Sequence, residues 1–108
     1  MKLIICVIDD MDIHALLDAL AASGHRATKL ASSGGFLRRG NTTLLIGTNE
    51  EKKDDVIQLI RRICRPRKQM VPIAPVLAAA ESVAPAEMLV RMGGAMVFVL
   101  DVAESYKV

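Results

Sequence analysis

Thr28 to Thr43 form the stretch of the sequence whose residue types best suit ligand binding. Glycine leaves backbone N–H groups open to close approach, and the interval between Asp18 and Glu50 holds no other Asp or Glu. A positively charged, glycine-rich loop suits an anion such as a nucleotide phosphate. A hairpin tip with a solvated basic surface would explain the same composition. The residues behind both interpretations are Gly34, Gly35, Phe36, Arg38, Arg39 and Gly40.

The composition is that of a small globular domain with an aliphatic core. We take residues 1–108 as a single domain, in which 52% of the residues are hydrophobic and the aromatic ones are Phe36, Phe98 and Tyr106. A net charge of +2 and so few aromatic residues argue against bulk nucleic-acid binding and against a stacking platform for single strands. The apolar run Leu3–Ile8 is too short for a signal-peptide core or a membrane span.

The sequence offers no arrangement of residues typical of catalysis or metal binding. Cys6 and Cys64 lack partners at metal-ligand spacing, so we expect reduced thiols, no metal and a cytoplasmic location. No Ser/His/Asp set or Walker loop is present. Small acylphosphatases of the ferredoxin-like class carry an arginine-bearing anion cradle after the first strand, where this chain has Asp9-Asp10, which would repel a phosphate. We therefore expect a binding protein and not an enzyme.

The order of the predicted elements is strand, helix, strand, strand, helix, strand. This is the α+β, ferredoxin-like βαββαβ plan, with an antiparallel sheet and both helices on one of its faces. No element is left to cover the other face, whose apolar residues therefore predict association with further copies. The predicted strands are Leu3–Ile8, His25–Ser32, Asn41–Thr48 and Ala95–Val102, and we expect the last of these to be a core strand. The apolar positions of the helices are Ile13, Leu16, Leu17 and Leu20 in the first and Val56, Leu59, Ile60 and Ile63 in the second.

Several local signals refine this plan. Asp9, Asp10 and Asp12 are expected to supply turn and N-cap interactions before the first helix. Gly24 is expected to end that helix, and Thr48-x-x-Glu51 to form a capping box at the start of the second. Gly47 inside a strand indicates a bulge or the close approach of another group to the backbone. Four prolines interrupt the region from Arg65 to Met92, where Met70–Ile73 and Met88–Met92 could pair as a small hairpin.

The glycine-rich stretch closely resembles the signature of the PII-like cyclic di-AMP receptors, small cytosolic signalling proteins related in fold to the nitrogen-regulatory PII proteins. The resemblance covers most of the chain apart from the Pro/Ala-rich segment. It rests on the order of residues within Thr28–Thr43, and it continues through Arg26, Gly47, Cys64-Arg65, Gln69 and Gly93–Leu100.

What the resemblance implies is a homotrimer with three equivalent clefts between subunits, each of which takes one cyclic di-AMP. The family's T-loop would lie at about 33–40 and its B-loop at about 65–92. Ligand binding would order these loops and so signal to a downstream protein that the sequence does not identify. No further cofactor, nucleic acid or membrane is implied. The alternative is a PII-like trimer that binds another adenine nucleotide, such as ATP.

The resemblance also implies roles for particular residues. Adenine presents a donor and an acceptor side by side, which an Asn amide such as that of Asn41 can pair with. Asn41 could instead be a hairpin turn residue, and Phe36 could pack the loop against the core. The tail Ser105–Val108 lacks the family's glutamine, which leaves a tail contact with the second base open. The implied ligand-binding residues are Thr28, Asn41 and Gly47 at an adenine edge, Phe36 and Leu37 on its apolar surface, and Arg26 with the Gly35 and Phe36 backbone at the phosphates.

Overall fold

The structure, a computed structural model, describes residues 1–32, 40–72 and 87–108. A short 3-10 turn at Asp10–Asp12 joins the first strand to the first helix. The candidate residues Gly35, Phe36 and Leu37, and most of the Pro/Ala-rich segment, lie outside the described residues. The elements are β1 (Lys2–Asp9), α1 (Ile13–Ala22), β2 (Ala27–Ser32), β3 (Asn41–Thr48), α2 (Glu50–Ile63), β4 (Arg67–Pro72), β5 (Glu87–Met92) and β6 (Ala95–Asp101).

The main sheet has the strand order β2-β3-β1-β6, and every neighbouring pair is antiparallel. This order is the one that the ferredoxin-like plan predicts for strands joined through two helices. β4 and β5 pair antiparallel as a separate two-stranded ribbon, with Arg67 opposite Met92. The predicted hairpin is therefore confirmed within the described residues, and it starts three residues earlier than the expected Met70.

The core lies between the sheet and the two helices. Alternation along β1 and β3 directs Ile4, Cys6, Ile8, Leu44 and Ile46 to one face, where all five are buried. They pack with the buried residues of both helices, which places α1 and α2 on the same face of the sheet. Each large aliphatic side chain buried in this way contributes about 1.5–3 kcal/mol. The helical members of the cluster are Ile13, Leu16, Leu20, Val56 and Ile60.

The capping box predicted at Thr48 and Glu51 is wrong. Asn49 is the N-cap of α2, and its Oδ1 accepts a hydrogen bond from the backbone N–H of Lys52 at 2.9 Å. Thr48 is still part of β3, where it pairs with Lys2, and its buried hydroxyl has no hydrogen-bond partner among the described residues. Asn is at least as good an N-cap residue as Thr, so cap preference does not favour Thr48 over Asn49. The pairing of Thr48 with β1 therefore decides where the strand ends and the helix begins.

Gly47 does not form the bulge that its position suggested. It pairs with Leu3 in an unbroken ladder, and the irregularity lies in β2, between Lys29 and Ala31. A Cβ added at Gly47 would meet no atom within 4 Å among the described residues. The described residues therefore leave space above this glycine.

Gly93→Ala is expected to destabilise the protein far more than Gly24→Ala. Both glycines have positive φ, 86° and 80°, so an alanine at either costs about 1–2 kcal/mol. A Cβ at Gly93 would also collide with the backbone oxygen of Arg65 and lie 2.8 Å from a guanidinium nitrogen of Arg67, whereas a Cβ at Gly24 meets nothing described within 4 Å. Chemical denaturation should show a loss of about 3 kcal/mol or more for Gly93→Ala. Equal losses of unfolding free energy for the two variants would contradict the close approach of Gly93 to the Arg65 backbone.

Candidate functional site

The face of the sheet that points away from the helices is apolar and uncovered by any described element. Leu3, Ile5 and Val7 of β1 point to this side, because their neighbours Ile4, Cys6 and Ile8 point into the core. Ile5 lies opposite Leu45 on one side and Phe98 on the other, so apolar side chains continue across three strands. The exposed apolar side chains that β6 adds are Met96, Phe98 and Leu100.

β6 was expected to be a core strand, and the structure corrects this. It is an edge strand that pairs with β1 alone among the described strands, and Phe98 is 52% exposed. The helices do not fully cover the inner face of β6 either, because Val99 on that face is 42% exposed. The apolar character of β6 therefore belongs to a surface of the isolated subunit.

Three of the predicted ligand residues lie together at one end of β2 and β3. Thr28 pairs with Leu45, which places it on the helix-free side of the sheet next to the row that contains Gly47. Arg26 and Gly47 line the same open cavity of about 410 Å³. This volume is within the usual range for small-molecule sites. The structure therefore brings Arg26, Thr28 and Gly47 into one neighbourhood.

The cavity beside Arg26 is electropositive. Lys52 and His25 line it together with Arg26, and no Asp or Glu is among the described residues that line it. The nearby carboxylate of Glu50 is engaged by Lys2 at 3.3 Å and by Lys53 at 3.2 Å. The two permanent cations in this lining, Arg26 and Lys52, attract an anionic ligand. We did not predict Lys52 as part of the site from the sequence, because it follows Glu50 and Glu51 and only the tertiary fold brings it close to Arg26.

Asn41 is not brought together with the other candidates. It is the first residue of β3 and Gly47 is the seventh, which at about 3.4 Å per residue places them about 20 Å apart. Asn41 lies opposite Asp9, at the end of the sheet next to Gly40. A single adenine base could not contact Asn41 and Gly47 of the same subunit.

Asp9, the last residue of β1, and Asp10 and Asp12 after it make some polar contacts that the sequence predicted and others that it did not. We expected Asp9, Asp10 and Asp12 to supply turn and cap interactions, and Asp9 does so, since its Oδ1 accepts from the N–H of Met11 at 3.0 Å. Asp12 makes no capping bond to α1. Its carboxylate, only 5% exposed, instead accepts two hydrogen bonds from the Arg67 guanidinium at 2.6 and 3.2 Å.

The Asp12–Arg67 pair is electrostatically favourable. The hydrogen-bonded carboxylate of Asp12 raises the pKa of Arg67 above its usual value, so the guanidinium stays charged. Among the described residues no group of three or more His, Cys, Asp or Glu side chains could hold a metal ion.

The two cysteines are buried, unpaired thiols. Burial raises the pKa of Cys6 to about 11. Burial, with a further contribution from the charge of Asp12, raises the pKa of Cys64 to about 12. At neutral pH both are protonated, so neither can act as a nucleophile or as a metal ligand without being uncovered.

In the described part of the chain, no helix combines the length and apolar character needed to cross a membrane.

Comparison with known proteins identifies the family to which the chain belongs. The chain is 34% identical to a functionally unknown protein from Pediococcus pentosaceus ATCC 25745 of known crystal structure. The match covers 99% of this chain and 96% of that one, with a TM-score of 0.73. The family model of the cyclic-di-AMP receptors matches residues 1–108, so the chain belongs to the cyclic-di-AMP receptor family.

Proposed function

We propose that this protein is a non-enzymatic receptor that binds cyclic di-AMP in clefts between the subunits of a homotrimer. The observation that carries the proposal is the match of the receptor family over all residues 1–108. The electropositive cavity beside Arg26 supports it, because a cyclic dinucleotide carries two phosphodiester charges that would be attracted by Arg26 and Lys52.

Within the cleft, the candidate residues serve different parts of the ligand. Thr28 and the backbone of Gly47 contact one adenine, and Arg26 faces a phosphate. Asn41 lies about 20 Å from Gly47 along β3, so it contacts the part of the ligand nearest the glycine-rich stretch. The residues that we assign to that end, besides Asn41, are Gly35, Phe36 and Leu37, which lie outside the described residues.

The helix-free face of the sheet supports the proposed trimer. Ile5, Leu45 and Phe98 form a continuous apolar row across three strands, and Phe98 is half exposed. A subunit alone would leave this surface in water, and burial stabilises an assembly by about 25 cal/mol for each Å² of apolar surface.

The biological output is signalling and not catalysis. Cyclic di-AMP bound between subunits changes the conformation of the segments at about 33–40 and 65–92, and a downstream protein recognises that change. The two buried thiols are held protonated, so neither is an activated nucleophile.

Thermal unfolding in the presence of different nucleotides tests the proposed ligand. A ligand at about 100 times its Kd stabilises the native state by about 2.7 kcal/mol, which for a chain of this size raises Tm by about 10 °C. Cyclic di-AMP should produce this shift, and cyclic di-GMP should not, because guanine replaces the amino group of adenine with a carbonyl. A larger shift with ATP than with cyclic di-AMP would favour the alternative, an ATP-binding PII-like trimer. No shift with any adenine nucleotide would contradict nucleotide binding.

A further inference from the structure

Asp9, Asp10 and Asp12 connect two parts of the subunit that are far apart in the sequence. We call these three residues the acidic clasp. Asp9 is the last residue of β1, and Asp10 and Asp12 lie on the 3-10 turn that follows it, where the Met11 N–H donates to Asp9 Oδ1. One side of the clasp contacts the start of β3, and the other contacts the β4–β5 ribbon.

On the β3 side, Asp10 makes two contacts. Its backbone N–H donates to the carbonyl of Gly40 at 2.9 Å, and its carboxylate accepts a hydrogen bond from the hydroxyl of Thr42. Thr42 is 1% exposed, so this hydroxyl cannot turn to water instead. The two contacts hold the backbone on both sides of Asn41, the residue that we assign to the ligand at this end of the sheet.

On the ribbon side, the clasp holds both strands of the ribbon at the end where Arg67 pairs with Met92. The carboxylate of Asp12 binds the guanidinium of Arg67, the first residue of β4. Asp9 Oδ2 accepts from the backbone N–H of Gly93, directly after β5, at 3.3 Å. A charge as buried as that of Asp12 is costly without its partner, so displacement of Arg67 is opposed strongly.

Because all of these contacts are made by side chains and backbone within four consecutive residues, 9–12, a shift at one side must be accommodated at the other. We propose that the acidic clasp couples the start of β3 to the β4–β5 ribbon, so that fixing Asn41 also restrains the ribbon of the same subunit. This proposal depends on the proposed function in one respect, which is that cyclic di-AMP is the ligand that fixes Asn41. By linkage it acts equally in both directions.

Amide hydrogen exchange of the ligand-free protein tests the coupling with two matched variants. Thr42→Val removes the hydroxyl that binds Asp10, and Thr43→Val makes the same change at the next residue, whose side chain points to the helix-free face. Thr42→Val should speed exchange in 67–72 and 87–92 about tenfold, and Thr43→Val should leave it unchanged. Unchanged ribbon exchange in Thr42→Val would overturn the proposal. An equal acceleration in α2 would also overturn it, because the effect would then be global.

Two further variants keep the test decisive if Thr42→Val folds poorly. Thr42→Ser retains the hydroxyl and should behave like the parent. Arg67→Lys retains the charge and loses the paired contact with Asp12, so it should speed exchange at Asn41–Thr43. If Arg67→Lys changes exchange in the ribbon alone, the clasp does not couple the two sides.

Hydrogen exchange measured with bound cyclic di-AMP distinguishes failure of this proposal from failure of the proposed function. In the parent, bound cyclic di-AMP should slow exchange of the ribbon amides, and Thr42→Val should lose most of that slowing. Binding that is detected by calorimetry without slower ribbon exchange would overturn the coupling and leave the receptor function intact. Absence of binding would contradict the receptor function, while the ligand-free comparison would still decide the coupling.

Discussion

Replacement of Phe98 by lysine should convert the assembled protein into monomers. Phe98 lies opposite Ile5 at the centre of the helix-free face, and 52% of its surface is exposed in the isolated subunit. If three subunits bury this face together, the substitution places three ammonium groups in one apolar interface. An unpaired charge in such a place costs several kcal/mol per subunit, which is enough to weaken association by more than a hundredfold. Sedimentation velocity at micromolar concentration measures the change directly.

Met11→Lys is the matched control for this experiment. Met11 is also 52% exposed, but it lies on the 3-10 turn and not on the sheet. This variant should keep the oligomeric state of the parent, and both variants should keep the far-ultraviolet circular dichroism of a folded subunit. A trimeric Phe98→Lys variant, or a parent protein that sediments as a stable monomer, would contradict burial of this face.

Gly47→Val should abolish ligand binding without weakening the fold. Gly47 has an ordinary extended backbone in β3, and no described atom lies within 4 Å of the position of a Cβ. Valine is favoured in strands, so the free energy of unfolding should stay constant or rise by a few tenths of a kcal/mol. In the cleft, the isopropyl group occupies the space through which adenine approaches the backbone, so cyclic di-AMP should bind at least about a hundredfold more weakly.

Gly47→Ala gives the graded comparison, since it adds a single methyl group and should cause a smaller loss of affinity. Sedimentation of both variants is required, because a neighbouring subunit could occupy the same space. If Gly47→Val is trimeric and binds like the parent, Gly47 is not in the site. If it lowers Tm by several degrees, the space above Gly47 is filled in the native protein by part of the chain.

Hydrophobic periodicity predicted the main-sheet strands and the helices because most of these elements bury one face against the core. β3 has the predicted bounds, Asn41–Thr48, and Gly24 ends α1 with a positive φ. The cap of α2 was wrong because Thr48 and Asn49 are both good caps, and pairing with β1 decides between them. β6 was read as a core strand because an apolar run looks the same whether a helix or another subunit covers it.

The candidate site was predictable only where a residue motif identified it. Arg26, Thr28 and Gly47 were assigned through the family signature, and the structure places them at one end of β2 and β3. Lys52 had no such signal. The Asp12–Arg67 contact joins residues 55 positions apart, and no local pattern pairs an aspartate with one particular arginine among many. Non-local polar contacts of this kind are the part of a site that sequence periodicity cannot show.

Calorimetric titration of the purified protein with cyclic di-AMP tests the central claim most directly. The account predicts saturable binding of one cyclic di-AMP per chain, three per trimer, with an affinity that falls as salt rises because Arg26 and Lys52 face its phosphates. ATP should bind more weakly under the same conditions. No measurable heat with cyclic di-AMP at high protein concentration, confirmed by equilibrium dialysis, would contradict the claim that this protein is a cyclic di-AMP receptor.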